Sequence, residues 1–143
     1  CRIGAVEGAL PALAGLVGEC GGADRARACT LIYYVSMTTL ANAEFGSQPG
    51  ALERLVDAAC SEGAQEGEVE SALAAIGVLA CNKVNSDKLN VHGLIEKLLP
   101  TLLRLVEHGT EAQRVNAIVC MWNGASTSPQ TKALVGAQPR LLS

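Results

Sequence analysis

A chain of 143 residues with 49% apolar but only 3% aromatic side chains must build its core mainly from Ala, Leu and Val. Ala and Leu favour helix, so the composition points to an all-α protein with a sizeable core. A formal net charge of −3 offers no clustered cationic footprint for nucleic acid, and no apolar run approaches the roughly 18–20 residues that cross a bilayer, so neither nucleic acid nor membrane is expected as a partner.

The segment RIGAVEG (2–8) ends on Gly8, and ALPALAGLV follows it. Glycine ends one short helix and Pro11 falls in the first turn of the next, where its missing N–H costs little. Leu10, Leu13, Leu16 and Val17 then form the predicted apolar stripe, because residues three and four apart share a helical face. The turn GECGGADRA (18–26) leads into an apolar helix, ARACTLIYYV (26–35). Of the adjacent Tyr33 and Tyr34, which point about 100° apart on a helix, one is expected in the core and the other on an open face.

NAEFGSQPG (42–50) again precedes a glycine, and GALERLVDAA (50–59) again carries a stripe, Leu52, Leu55, Val56 and Ala59. An acidic, glycine-containing turn with Glu62, Glu66, Glu68 and Glu70 opens the next helix, SALAAIGVLA (71–80). Carboxylates there suit the helix dipole, and a basic-peptide patch is the other reading. NSDKLNVHG (85–93), KLLPTLLRLV (97–106) and VNAIVCMWNG (115–124) repeat the order, and SPQTKALVG (128–136) with AQPRLL (137–142) starts it once more. In the third copy the stripe is Leu99, Leu102, Leu103 and Val106. Three segment types thus recur in fixed order, with Leu10, Leu52 and Leu99 taken as equivalent in one and Ala28, Ala72 and Ala117 in another. Asp24, Glu68 and Thr110 stand at the starts of the third segments as capping or dipole-favoured residues. Trp122 is expected to fill a gap in the alanine-rich layer, with an open face as the alternative.

Six cysteines at positions 1, 20, 29, 60, 81 and 120 show no C-x-x-C pair. They are expected as small buried thiols in a reducing compartment, the cytoplasm or alternatively the nucleus. His92 and His108 are the only histidines. No metalloprotease, nucleophile-elbow, P-loop or dinucleotide motif accompanies them, so no enzyme, cofactor or metal is expected. The start at Cys1 and the end within an apolar pattern suggest a piece of a longer protein.

This pattern resembles the armadillo repeat, whose units of about 40–47 residues carry three helices with a glycine before the second. EGALPALAGLV (7–17) and the run from Asn85 to Asn123 carry the resemblance. HEAT repeats, with two helices per unit, are the nearest competitor, and NSDKLNV before Gly93 leaves room for the extra helix. The resemblance implies an armadillo-type superhelix, a right-handed solenoid, with units at about 1–40, 41–83 and 84–126 and a partial one at 127–143. It implies further that the third helices line a concave groove for a partner protein or extended peptide. In peptide-binding members an asparagine there, with a tryptophan four residues earlier, bonds the ligand backbone. The asparagine position falls on Tyr34, Val78 and Asn123, and the tryptophan position on Thr30, Ala74 and Val119. Only Asn123 matches, and Trp122 lies beside it. An interaction scaffold is the expected function. The alternatives are an architectural segment of a larger assembly and a regulatory repeat domain of a larger protein.

Overall fold

The computed structural model describes residues 9–138. Gly8, Cys1 and most of AQPRLL lie outside them. Among the described residues the fold is all-α, with nine helices in chain order: α1 (Ala9–Glu19), α2 (Gly22–Val35), α3 (Thr39–Ser47), α4 (Ala51–Cys60), α5 (Glu66–Leu79), α6 (Lys83–Val91), α7 (Leu94–His108), α8 (Glu111–Thr127) and α9 (Pro129–Gly136).

Each of the first five helices packs on the helix three places further along the chain. α1 meets α4 and α4 meets α7; α2 meets α5 and α5 meets α8; α3 meets α6. The described helices therefore form rows, and the turns between them explain why. Gly50 and Gly93 sit immediately before α4 and α7 with φ of +73° and +68°. That left-handed conformation costs a glycine little and any residue with a Cβ considerably more. It lets α3 give way to α4 across only Gln48, Pro49 and Gly50, and α6 to α7 across only His92 and Gly93. Pro11 lies in the first turn of α1 as expected, whereas Pro100 lies in the interior of α7.

Counting from these glycines corrects the alignment of the second helices. Ile95, not Leu99, stands where Leu52 stands, two residues after the turn. Burial supports this register throughout. Leu10, Leu13, Ala14 and Val17 in α1 match Leu52, Leu55, Val56 and Ala59 in α4 and Ile95, Leu98, Leu99 and Leu102 in α7, and all twelve are buried. Leu16, expected in the stripe, is 41% exposed and Ala14 takes its place, while Val106 is only partly covered. The other predicted stripe residues are buried. The stripes join one continuous core through Phe45, Ile76 and Leu89. Each fully buried Leu or Ile contributes roughly 1.5–3 kcal/mol of transfer free energy.

The first helices are tied by buried amides. The Asn85 side-chain amide donates to the Asn42 carboxamide oxygen at 2.8 Å and to the Leu79 carbonyl at 3.2 Å. Asn42 donates in turn to the carbonyls of Ser36 and Val78 at 3.0 and 2.8 Å. Gly46 leaves the room this needs: a Cβ there would lie 1.7 Å from Asn85 Oδ1.

Candidate functional site

The third helices α2, α5 and α8 stand side by side and carry all six residues singled out from the sequence. Their starts are fixed by polar chemistry. Thr110 is the N-cap of α8, its hydroxyl accepting from the Gln113 backbone N–H at 3.2 Å, while the Thr110 N–H donates to the Gln113 side chain at 3.0 Å. This reciprocal pair satisfies two donors that a helix start leaves open. Asp24 and Glu68 occupy first-turn positions, and the N-caps before them are Gly21 and Gln65. The Glu68 carboxylate is 4% exposed and bridges two helix starts, accepting from the Gln65 N–H and the Gly22 N–H, both at 2.8 Å, with Arg25 3.6 Å away. A carboxylate between two helix N-termini is favoured by both dipoles. Of the acidic run, then, Glu68 is a structural bridge, Glu62 and Glu66 are exposed, and half-buried Glu70 accepts from the Thr110 hydroxyl at 3.4 Å.

Ala28, Ala72 and Ala117 are all buried and share one register, so the six candidates fall into two tiers. Thr30, Ala74 and Val119 form the first. The Thr30 hydroxyl bonds the Ser71 hydroxyl at 3.0 Å across to α5, Ala74 is half-buried, and Val119 is 42% exposed. Tyr34, Val78 and Asn123 form the second. Tyr34 is 61% exposed, with its ring edge-on to Tyr33, which packs against the core. Asn123 is half-buried, and its amide donates to the Gly77 carbonyl of α5 at 2.8 Å. It belongs to a file along one face of α8: Asn116 donates to the Glu70 carbonyl at 3.2 Å, Cys120 to the Leu73 carbonyl at 3.0 Å, and Thr127 to the Ala80 carbonyl at 2.9 Å. The acceptors are backbone carbonyls of α5 and of Ala80 at its C-cap; those of Gly77 and Ala80 lie at the helix end, where carbonyls are left open for such donors. The file thus stitches α8 to α5.

Trp122 does not fill the alanine-rich layer; it is 72% exposed. Its counterpart on α5 is Gly77, where α8 approaches closely enough that a Cβ would stand 3.4 Å from the Val119 side chain. A bulky residue at this register has no room between two third helices, so on α8 it stands on the open side. The sequence reading passed over Val115 and Ile118, which are 53% and 51% exposed. With Val119 and Trp122 they recur at helical spacing, a signal present in the sequence but indistinguishable there from a core stripe.

Comparison with protein-family models, characterised proteins and solved structures gives no match. The functional reading therefore rests on this geometry. An open cleft of about 370 Å³ adjoins the row where α2 and α5 end, lined by Met37, Thr39, Val78, Cys81 and Lys83 among others. It presents a mixed polar and apolar surface.

Burial pushes the thiols of Cys29 and Cys120 up to about 12. At Cys29 the nearby Arg25 opposes the shift and Glu68 adds to it. Both thiols stay protonated at neutral pH and make poor nucleophiles. Cys20 and Cys60 are half-buried and Cys81 is exposed, so burial holds for only part of the set. His92 and His108 are exposed on separate helix ends, beside Glu53 at 4.0 Å and Glu107 at 3.6 Å. Among the described residues no group of His, Cys, Asp and Glu is arranged to hold a metal, and no helix is long and apolar enough to cross a membrane.

Proposed function

We propose that the chain is a non-catalytic interaction scaffold of armadillo type, with units at about 1–40, 41–83, 84–126 and 127–143, working in a reducing compartment such as the cytoplasm. The third-helix row is its receptor face and takes a partner protein or an extended peptide. The observation that carries this reading is the row itself: three third helices packed side by side and tied by hydrogen bonds, α2 to α5 through Thr30–Ser71 and α8 to α5 through Asn123, that keep Tyr34, Val119 and Trp122 exposed. Aromatic side chains with a polar tip, held on a rigid frame, are favoured anchors at interfaces, and a preorganised receptor loses little entropy on binding. The expected contacts are the Tyr34, Val78 and Val119 side chains, with Thr30, Ala74 and Asn123 shaping the frame around them.

The test is affinity capture with the intact chain, followed by mapping of the captured partner. Tyr34→Ala and Val119→Glu should each weaken capture at least tenfold. Charge reversals at the exposed Arg104 and Lys132 should leave it intact. The opposite pattern would move the interface to the outer surfaces and favour the architectural reading.

A further inference from the structure

Arg54 and Lys97 stand four residues after Gly50 and Gly93, at one register on α4 and α7. Each leans toward the preceding second helix. Lys97 is answered there: its ammonium pairs with Asp57 of α4. At the register of Asp57, α1 carries Gly15. Among the described residues Arg54 therefore has no carboxylate partner. Its stem lies over α1 all the same, because Gly18 leaves the room: a Cβ there would stand 3.2 Å from Arg54 Cδ and Nε.

A second guanidinium reaches the same place from α2. Arg25 and Arg54 line one pocket of about 160 Å³, together with Asp57, Ser61, Val17 and Gly18. Arg25 is also short of acceptors. Its Nε is buried with no hydrogen-bond partner among the described residues, and its Nη1 stands 3.6 Å from Glu68, beyond hydrogen-bond length. The Glu68 oxygens are already taken by the Gly22 and Gln65 N–H groups. Three cations, Arg25, Arg54 and Lys97, thus stand at or beside the pocket against two carboxylates, Asp57 and Glu68. The local balance is positive in a chain whose formal net charge is −3.

We propose that this pocket, walled by α1, α2 and α4, binds a tetrahedral oxyanion of the phosphate class, free or carried as a phosphate monoester. A guanidinium fork matches such an anion bidentately, and here two line the pocket from different helices. The exposed Ser61 hydroxyl adds a donor. Asp57, paired with Lys97, is neutralised and does not repel the anion. The volume suits a single such group, being well below the roughly 300–1,000 Å³ of pockets that enclose whole small molecules. All the walls come from residues 17–61, and none belongs to the receptor face, so the proposal is independent of what that face binds.

Titration of the intact chain with inorganic phosphate, at ionic strength held constant with chloride, tests this by NMR of backbone and arginine Nε–H groups. Saturable shifts should centre on Arg54, Arg25 and Ser61. Arg54→Gln should weaken phosphate binding at least tenfold, and Arg54→Lys, which keeps the charge but not the fork, should fall between. Lys132→Gln, on α9, should bind as the wild type does. Arg54 is exposed, so melts without phosphate should match across these variants and exclude misfolding. Added phosphate should raise the Tm of the wild type more than that of Arg54→Gln. Capped phosphoserine separates the two sources of the anion. Competition at equal or better affinity assigns the site to a monoester, and its failure beside working inorganic phosphate assigns it to the free anion. Shifts that never saturate, or an affinity unchanged in Arg54→Gln, would overturn the proposal.

Discussion

The second-helix row and the third-helix row solve the same stacking problem with different chemistry. α1, α4 and α7 meet through aliphatic side chains at matching registers, Leu13 with Leu55 and Leu98 being the central set. α2, α5 and α8 bury small residues, Ala28, Ala72 and Ala117, at one register and are tied by polar contacts: side chains of α8 donate to backbone carbonyls of α5 and its C-cap, while α2 meets α5 through the Thr30–Ser71 hydroxyl bond and the Gly22 N–H that donates to Glu68. Apolar packing is non-directional and large, while each hydrogen bond adds little net stability and fixes geometry closely. The row buried on one face supplies cohesion. The row that keeps a face open supplies register, which suits a surface meant to be read by something else.

This contrast breaks most visibly at Leu55. It is fully buried between the flanking second helices, and Leu55→Ala should cost roughly 2–5 kcal/mol through lost transfer energy and the cavity left behind. Urea titration of the intact chain measures it. A loss below about 1 kcal/mol would mean that the second-helix row is not the source of cohesion.

A middle-sized effect is expected at Glu68, where the third-helix row has its one buried charge bridge. Glu68→Ala leaves the Gly22 and Gln65 N–H groups without their acceptor and should cost about 2 kcal/mol. Glu68→Gln keeps an acceptor oxygen and should recover part of that loss. Protection of the Gly22 and Gln65 amides from hydrogen exchange reports the site directly, and unchanged protection in the alanine variant would remove the bridge from the account.

The same two rows show what could be read in the sequence. Leu52, Leu55, Val56 and Ala59 were legible because a helix buried on one face prints its contacts at spacings of three and four. Their counterparts in α7 are displaced by four residues, about one helical turn, since Leu98, Leu99, Leu102 and Leu103 satisfy that spacing in more than one register. Only Gly93, through its positive φ, fixes the frame. The third helices print no such period, because α5 is covered on several sides and nearly every position is apolar. Trp122 looked like a core residue for the same reason: its exposure depends on what stands next to α8, not on α8 itself. The partner of Asn123 is a backbone carbonyl, which every residue carries, so no side-chain pattern could announce it.

Asn123 is where the smallest effect says most about that division. Its alignment with a ligand-bonding asparagine predicts lost affinity and unchanged stability on Asn123→Ala. Its bond to the Gly77 carbonyl predicts the reverse, a loss of about 1 kcal/mol, or roughly 4 °C in Tm for a chain of this size, with partner capture unaffected at temperatures where the chain stays folded. Thermal melts and capture on the same variant separate the two. Among the described residues the bond to Gly77 is the one the Asn123 carboxamide makes, and the side chain is half-exposed, so a variant that loses both stability and affinity would show the residue stitching the frame with one side of its amide and meeting the partner with the other.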